Sequence, residues 1–404
     1  MLKRLFGRLN AAHPQLVLFL LASGLLAAAS GAFETTFNNY LDDTFRVTAA
    51  ARGALEFPRE LPGFLVALLA GALFFLPEAR VGALAAAATG LGMIGLGLIG
   101  PSWPLMLTCM ILRSTGMHVG MRIGSSLGMS LASAERRGRR VGQIGGVRTA
   151  ATIIGCAFVW LTVDYWKQGY SLIFFFGGAL ALLAAVGFWR MRGIGVEGAR
   201  PSLVVRKEYW LYYVLALLFG ARKQLFITFG PWVLVRVFHQ PASTFARLWI
   251  VAALIGIFFN PLLGRLIDRV GERTILVADA LLLLLVCAGY GFADRLGLGG
   301  WEVYVLYACF IIDQLLFSVN MARDTWMSKI AVRQEDIAPT LSLGITLNHA
   351  VSMSLPTLGG LVWDRYGYQW VFVGAACVAL VMLVFTSRVR TPVAGATPLP
   401  AAAR

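Results

Sequence analysis

Cys109-Met110-Ile111-Leu112-Arg113 returns two hundred residues later as Cys309-Phe310-Ile311-Ile312-Asp313, inside a second apolar segment of the same length and with the charge reversed. The register outlasts the motif. Val119 and Met121 align with Val319 and Met321, and Asp164 of Asp164-Tyr165-Trp166-Lys167-Gln168-Gly169-Tyr170 aligns with Asp364 of Asp364-Arg365-Tyr366-Gly367-Tyr368. Self-similarity at half the chain length is the trace that parallel repeats leave in duplicated membrane proteins.

The composition supports that reading. A chain that is 58% hydrophobic and 14% charged, with a mean hydropathy of +0.73, cannot hide its apolar residues in one water-soluble core. Apolar runs long enough to cross about 30 Å of hydrocarbon recur along it, at roughly 16–41, 54–76, 81–100, 103–131, 143–163, 170–189, 209–235, 246–263, 274–292, 302–327, 340–363 and 370–387. The expected fold is an all-α polytopic membrane protein of twelve transmembrane helices. It divides into an N-terminal six-helix half (1–189), a polar Gly- and Arg-rich cytoplasmic linker (190–207), a C-terminal six-helix half (208–390) and an Ala- and Pro-rich disordered tail (391–404).

The net charge of +15 does not call for nucleic acid, because the basic residues concentrate in the N-terminus, the even-to-odd loops and the C-terminus. The richest clusters are Arg136, Arg137, Arg139 and Arg140, then Arg190, Arg192, Arg200, Arg206 and Lys207. This asymmetry puts both termini in the cytoplasm. The five cysteines all fall within predicted spans, so no disulfide framework or spaced metal site is expected. Short outer loops, the absence of an N-x-Ser/Thr sequon and the preference for arginine over lysine point to a bacterial inner membrane, with the lipid bilayer as the principal surroundings and a monomer as the working unit.

A second repeat joins helix 1 to helix 7: Gly31-Ala32-Phe33-Glu34-Thr35-Thr36-Phe37 aligns with Gly220-Ala221-Arg222-Lys223-Gln224-Leu225-Phe226, again matching a carboxylate to a cation. An ionised side chain at mid-bilayer costs on the order of 2.5–3.5 kcal/mol even on insertion scales. The set Glu34, Arg113, Arg148, Arg222, Lys223 and Asp313 must therefore pair or line a wet cavity. Glu34 shares an i+4 stripe with Ser30, Asn38 and Asp42. Lys223 is expected either to pair with Glu34 or to snorkel within its own half. Arg113 and Asp313 are expected either to bridge each other or to divide the work, Arg113 on an anionic group and Asp313 on a proton. Glu56, Arg59 and Glu60 read as a local network near the outer surface.

Gly264-Arg265-Leu266-Ile267-Asp268-Arg269-Val270-Gly271-Glu272-Arg273, between helices 8 and 9, resembles the G-x-L-x-D-R-x-G-x-R loop of the major facilitator superfamily of secondary transporters. Gly359-Gly360-Leu361-Val362-Trp363-Asp364-Arg365-Tyr366-Gly367-Tyr368 is similar to that family's helix 11 to 12 connection. The resemblance implies two pseudo-symmetric halves around a central cavity bordered by helices 1, 4, 7 and 10, substrate bound near the midplane, and a gating loop at Gly264, Asp268, Arg269, Gly271 and Arg273 in which Asp268 and Arg269 latch the inner side. Two features depart from it. Gly71-Ala72-Leu73-Phe74-Phe75-Leu76-Pro77-Glu78-Ala79-Arg80 lacks the Asp-Arg-x-Gly core, and helix 5 carries Gly145-Gly146-Val147-Arg148 where drug/proton antiporters have Gly-Pro-x-x-Gly-Gly.

The expected function is secondary active transport of a small organic solute by alternating access, with an anionic metabolite favoured by the embedded arginines and lysine. Glu34 and Asp313 are the candidates for proton coupling. Asn38, Arg113, Arg148, Lys223, Asn320, Asn348 and His349 are the candidates for substrate binding. A multidrug or neutral-solute exporter of the same fold, and a transporter-like receptor without net flux, are the alternatives. No P-loop, dinucleotide motif or metal-ligand spacing is present, and His13, His118, His239 and His349 do not stand at nucleophile or metal spacing, so neither an enzyme, a cofactor nor a metal is expected.

Overall fold

The computed structural model describes residues 14–65, 76–131, 137–191 and 204–390. Twelve helical segments follow one another among these residues: α1 (Pro14–Phe45), α2 (Ala49–Ala54 continued by Glu56–Phe64), α3 (Glu78–Leu98), α4 (Trp103–Ser130), α5 (Arg140–Tyr165), α6 (Tyr170–Arg190), α7 (Trp210–Arg236), α8 (Ala242–Val270), α9 (Glu272–Phe292), α10 (Glu302–Ile330), α11 (Ile337–Tyr366) and α12 (Tyr368–Thr386). The fold is the all-α, twelve-helix one expected. Eight of these described helices are long and apolar enough to span a membrane by composition alone. The exceptions are α2, whose described part is short, and α4, α7 and α11, each diluted by polar and small residues. Most of the linker, the tail beyond Arg390, Arg136 and residues 71–75 of the first-half loop lie outside the described residues.

Contacts divide the chain into two compact units. The first comprises the described parts of Met1–Val47, Pro58–Arg200 and Val235–Ala253; the second comprises those of Thr48–Phe57, Pro201–Leu234 and Leu254–Arg404. In the first unit α3 packs on α4 and α6, and α1 packs on α5 and α6. Its core gathers Phe19, Val119, Leu127, Ala184 and Phe188. In the second unit α9 packs on α10 and α12, and α11 packs on α12 and the first turn of α2. Its core is built on Tyr209, Tyr212, Leu276, Leu316 and Trp326. The pairs α3–α4 and α3–α6 thus recur six helices apart as α9–α10 and α9–α12, as a duplication requires.

Small residues carry the repeat into three dimensions. Lipid tails are as apolar as leucine, so membrane helices gain their affinity from close backbone approach, and glycine permits it. A Cβ placed on Gly31 of α1 would lie 2.8 Å from the Thr152 carbonyl of α5, and one on Gly220 of α7 would lie 2.7 Å from the Asn348 carbonyl of α11. Likewise Gly95 of α3 abuts the Cys109 sulfur of α4, and Gly289 of α9 abuts the Cys309 sulfur of α10. That shared contact accounts for the repeated cysteine. The register holds beyond it, since Val119 and Val319 are both buried and Met121 and Met321 are both exposed.

The two Asp-Arg-x-Gly sequences make the same turn. Gly271 (φ 84°, ψ 158°) and Gly367 (φ 100°, ψ 159°) each end one helix and begin the next, in a region of backbone space open essentially to glycine alone. Asp364 then accepts from the backbone N–H groups of Ala49 (3.1 Å) and Ala50 (3.0 Å), capping α2. Its repeat counterpart Asp164, held in a π turn at Leu161–Tyr165, instead accepts from Trp160 Nε1 at 2.9 Å and faces Arg247 at 3.7 Å.

Two helices that read as continuous are interrupted beside their charges. In α1 the α-helix stops at Glu34 and resumes at Phe37; the Thr36 N–H bonds to the Phe33 carbonyl at 3.0 Å, an i→i−3 step tighter than α geometry. The Ser30–Glu34–Asn38–Asp42 stripe is therefore cut after Glu34. In α10 a 3₁₀ turn, Phe317–Val319, follows Asp313 and precedes Asn320.

Candidate functional site

In the first unit, Glu34 is held by two arginines. Arg113 Nη2 of α4 donates to Glu34 Oε1 at 2.9 Å, and Arg59 Nη2 of α2 donates to Glu34 Oε2 at 3.0 Å. The Arg113 guanidinium also lies over the Phe33 ring at 3.5 Å, so one apolar neighbour on α1 orients the cation that its next residue binds. Behind it, Ser114 donates to the Arg59 carbonyl, and His118 Nδ1 stands 2.9 Å from the Ser114 carbonyl. Gly92 of α3 lets this part of α4 approach, a Cβ there coming within 2.6 Å of the Arg113 nitrogen.

Burial within this cluster is unequal. The Arg113 side chain is 1% exposed and that of Arg59 is 8% exposed, whereas that of Glu34 is 27% exposed. The carboxylate is thus the part of the cluster that solvent reaches. Arg113 Nε and Nη1 are buried and make no hydrogen bond. Two guanidiniums thus face one carboxylate, and Arg113 keeps donor capacity unspent.

The second unit contains the reversed arrangement. Arg222 Nη2 of α7 donates to Asp313 Oδ1 of α10 at 3.0 Å, both side chains being buried. The Arg222 guanidinium lies 4.9 Å from the Phe317 ring and 5.9 Å from that of Phe219. Further along α10, Arg323 donates to the Leu215 carbonyl (3.3 Å) and to the Asn320 side chain, while Asn320 donates to Asp324 at 2.9 Å. Asp279 of α9 is buried with Oδ1 unbonded. It borders, with Asn320 and Arg323, a cavity of about 10 Å³, which is room for about one water molecule.

Each of these charges meets a partner inside its own unit. Within the first unit Arg113 bonds to Glu34, and within the second Asp313 bonds to Arg222. The cation that Asp313 takes is Arg222 and not the adjacent Lys223, which is half-buried on another face of α7. Arg59 belongs to the Glu34 cluster, whereas Glu56 bonds to Arg52 (2.5 Å) and to Gln224 (2.6 Å). A planar, always-charged guanidinium suits a buried pair better than a strongly hydrated ammonium, and this is the chemical signal that could have singled out Arg222.

The remaining candidates are dispersed. Asn38 is buried on α1, Arg148 is exposed on α5, and His349 is half-buried on α11. Asn348 accepts from Ser352 at 3.3 Å beside the Gly220 crossing. At the loop between α8 and α9, Asp268, Arg269 and Arg273 are exposed and Gly264 and Gly271 half-exposed; the buried charge there is Glu272, which meets Lys329 of α10 at 2.5 Å. In the first-half loop, Glu78 accepts from Ser126 at 2.7 Å, and Arg80 donates to the Trp189 carbonyl at 2.5 Å.

No family model matches the chain. Over 165 residues, 41% of its length, the chain is 25% identical to an uncharacterized MFS-type transporter, YybF, of Bacillus subtilis, covering 38% of that protein. Over 139 residues, 33% of its length, it is 32% identical to the multidrug resistance protein MdtG of Proteus mirabilis, covering 32% of that protein. The matched segments therefore span about a third of the length of these curated relatives. A solved structure of the nucleoside transporter NupG superposes with a TM-score of 0.75 at 14% identity, over 92% of this chain and 98% of that one. In fold, the chain is thus similar to that transporter over nearly its whole length, and part of it is similar in sequence to an MFS-type transporter.

Proposed function

We propose that the protein is a secondary transporter of a small organic solute, working by alternating access in a bacterial inner membrane with both termini cytoplasmic, and that Glu34 couples transport to protons. The observation that carries this reading is the Glu34 carboxylate held between Arg113 and Arg59 and partly open to solvent. Protonating Glu34 removes the negative charge that the buried Arg113 meets. An unpaired buried cation is costly, by several kcal/mol, so the site then favours another anion. A substrate carboxylate presents the same fork-matching geometry as Glu34 and can take both arginines.

Proton and anionic solute would accordingly bind together, the local charge being the same whether Glu34 or substrate carboxylate occupies the arginines. Symport of an organic anion is the mechanism this favours. Arg222–Asp313, buried on both sides, supplies a fixed pair in the other unit. Asp268 and Arg269, exposed at the loop, are available to latch it in another state of the transport cycle.

The similarity to a multidrug resistance protein over a third of the chain supports a second reading, export of cationic or neutral drugs. Uptake of labelled lactate, succinate and glutamate into proteoliposomes under an inward proton gradient, beside ethidium efflux in the same vesicles, separates the two. Gradient-stimulated uptake of a carboxylate that is lost in Glu34→Gln supports the first, and ethidium efflux indifferent to Arg113→Ala would replace it with the second.

A further inference from the structure

The end of the first unit formed by the last turn of α1, the α5–α6 turn and the α7–α8 turn encloses a cavity of about 440 Å³ that the Glu34 cluster does not use. Asn39, Asp42 and Asp43 of α1 line it together with the polar Gln168, Tyr170, His239 and Gln240 of the two turns, and Val163, Val235 and Ala242 contribute apolar surface. The volume falls in the range of about 300–1,000 Å³ typical of small-molecule sites and is far larger than a bare metal ion needs.

Each polar group has a fixed orientation. Asp42 Oδ1 accepts from Arg236 at 2.8 Å, and Asp43 Oδ2 accepts from the Tyr170 hydroxyl. Asn39 Nδ2 donates to the Gln240 carbonyl at 2.8 Å. That contact also fixes the amide, since turning it over would set its oxygen against a carbonyl oxygen. Asn39 is 5% exposed, and its Oδ1 makes no hydrogen bond. A buried amide oxygen left without a donor costs about 1–3 kcal/mol, and its place on the cavity wall indicates where the donor enters.

The chemistry of the wall selects the ligand. Two carboxylates and an amide oxygen outweigh one guanidinium, so a cation is favoured over an anion. The three acceptors stand on adjacent positions of one helical end, and an alkylammonium carries three N–H donors. A quaternary ammonium has the charge but no donor for Asn39. The apolar surface accommodates a hydrocarbon body.

We propose that this cavity binds a small primary amine, its ammonium group on Asn39, Asp42 and Asp43 and its apolar body against Val163, Val235 and Ala242. The assignment does not rest on the Glu34 reading, which concerns a different cluster and an anion.

The test uses the full-length protein in detergent, with phenethylammonium as probe and tetramethylammonium and sodium as controls at constant ionic strength, read by isothermal titration calorimetry. Phenethylammonium binding is expected to weaken at least tenfold in Asn39→Leu and in Asp43→Asn. Circular dichroism and gel filtration establish that each variant is folded, and Asp43→Asn, nearly isosteric, decides the matter if Asn39→Leu is not. Tetramethylammonium or sodium binding as tightly as the probe, or affinity unchanged in Asp43→Asn, would overturn the assignment.

Discussion

Arg222 and Asp313 meet at 3.0 Å between α7 and α10, while in the other unit Glu34 and Arg113 meet at 2.9 Å between α1 and α4. The two contacts use corresponding helices with acid and base exchanged. What distinguishes them is burial: the first is closed to solvent, the second is open on its acidic side. One duplicated interaction has thus become a fixed pair in one unit and an accessible one in the other.

The buried pair should behave as a unit in stability. Arg222→Ala leaves Asp313 uncompensated and is expected to cost about 3–5 kcal/mol, whereas replacing both with apolar residues, Arg222→Met with Asp313→Leu, should recover most of the loss. Thermal unfolding in detergent, read by tryptophan fluorescence, measures the cycle; additive losses would show that the two are not coupled.

Gly92→Ala should damage transport more than its size implies. In a solvated helix the change gains about 1 kcal/mol of helix propensity. Here the added Cβ meets the Cys109 oxygen and the Arg113 nitrogen at 2.6 Å, so α3 and α4 must separate and Arg113 shifts relative to Glu34. The expected outcome is a destabilisation of about 1–3 kcal/mol by overpacking together with a fall in transport rate. A melting temperature equal to that of the parent protein would contradict the packing account.

Gly271→Ala and Gly367→Ala should each destabilise by about 1–3 kcal/mol, because both turns need a backbone region that other residues avoid. Gly264→Ala is the control, since nothing lies within 4 Å of a Cβ there and its helix is continuous. Similar melting temperatures for all three variants would remove the turn argument.

Acid should unmask the contribution of Asp336, which lies outside the spans. Burial raises its pKa, but hydrogen bonds from Tyr209 (2.8 Å) and Arg206 Nη2 (3.4 Å), with the Arg206 charge 2.7 Å away at Nε, outweigh that and hold it below the ordinary carboxylate value. A carboxylate with a lowered folded pKa contributes stability that is complete above about pH 4, its unfolded value, and is lost as pH falls through the folded one. Asp336→Asn should accordingly melt lower than the parent at pH 7, with the gap closing below about pH 4. A gap independent of pH would mean that the charge of Asp336 does no such work.

How far these arrangements can be read from the chain differs with the kind of interaction. The duplicated Cys-x-x-x-Arg/Asp segment was legible because one packing demand, a glycine of the preceding helix against the cysteine sulfur, was retained in both halves. Asp-Arg-x-Gly was legible because glycine alone makes that turn. Partner choice was not, since Arg222 and Lys223 are neighbours about 100° apart on one helix, and alignment on Gly220 placed Lys223, not Arg222, opposite Glu34. Arg59 escaped for a related reason: its place beside Glu34 depends on how α2 crosses α1, which no local pattern encodes. The amine cavity likewise assembles residues from three helix ends far apart in sequence.

The central claim is that Glu34, released from Arg113 and Arg59 by a proton, admits an anionic solute. It is tested most directly by comparing the parent protein and Glu34→Gln in proteoliposomes, with labelled carboxylate measured both in counterflow and in accumulation driven by a proton gradient. The account predicts that Glu34→Gln retains counterflow but loses gradient-driven accumulation. Accumulation that survives the substitution at the parent's level would contradict it.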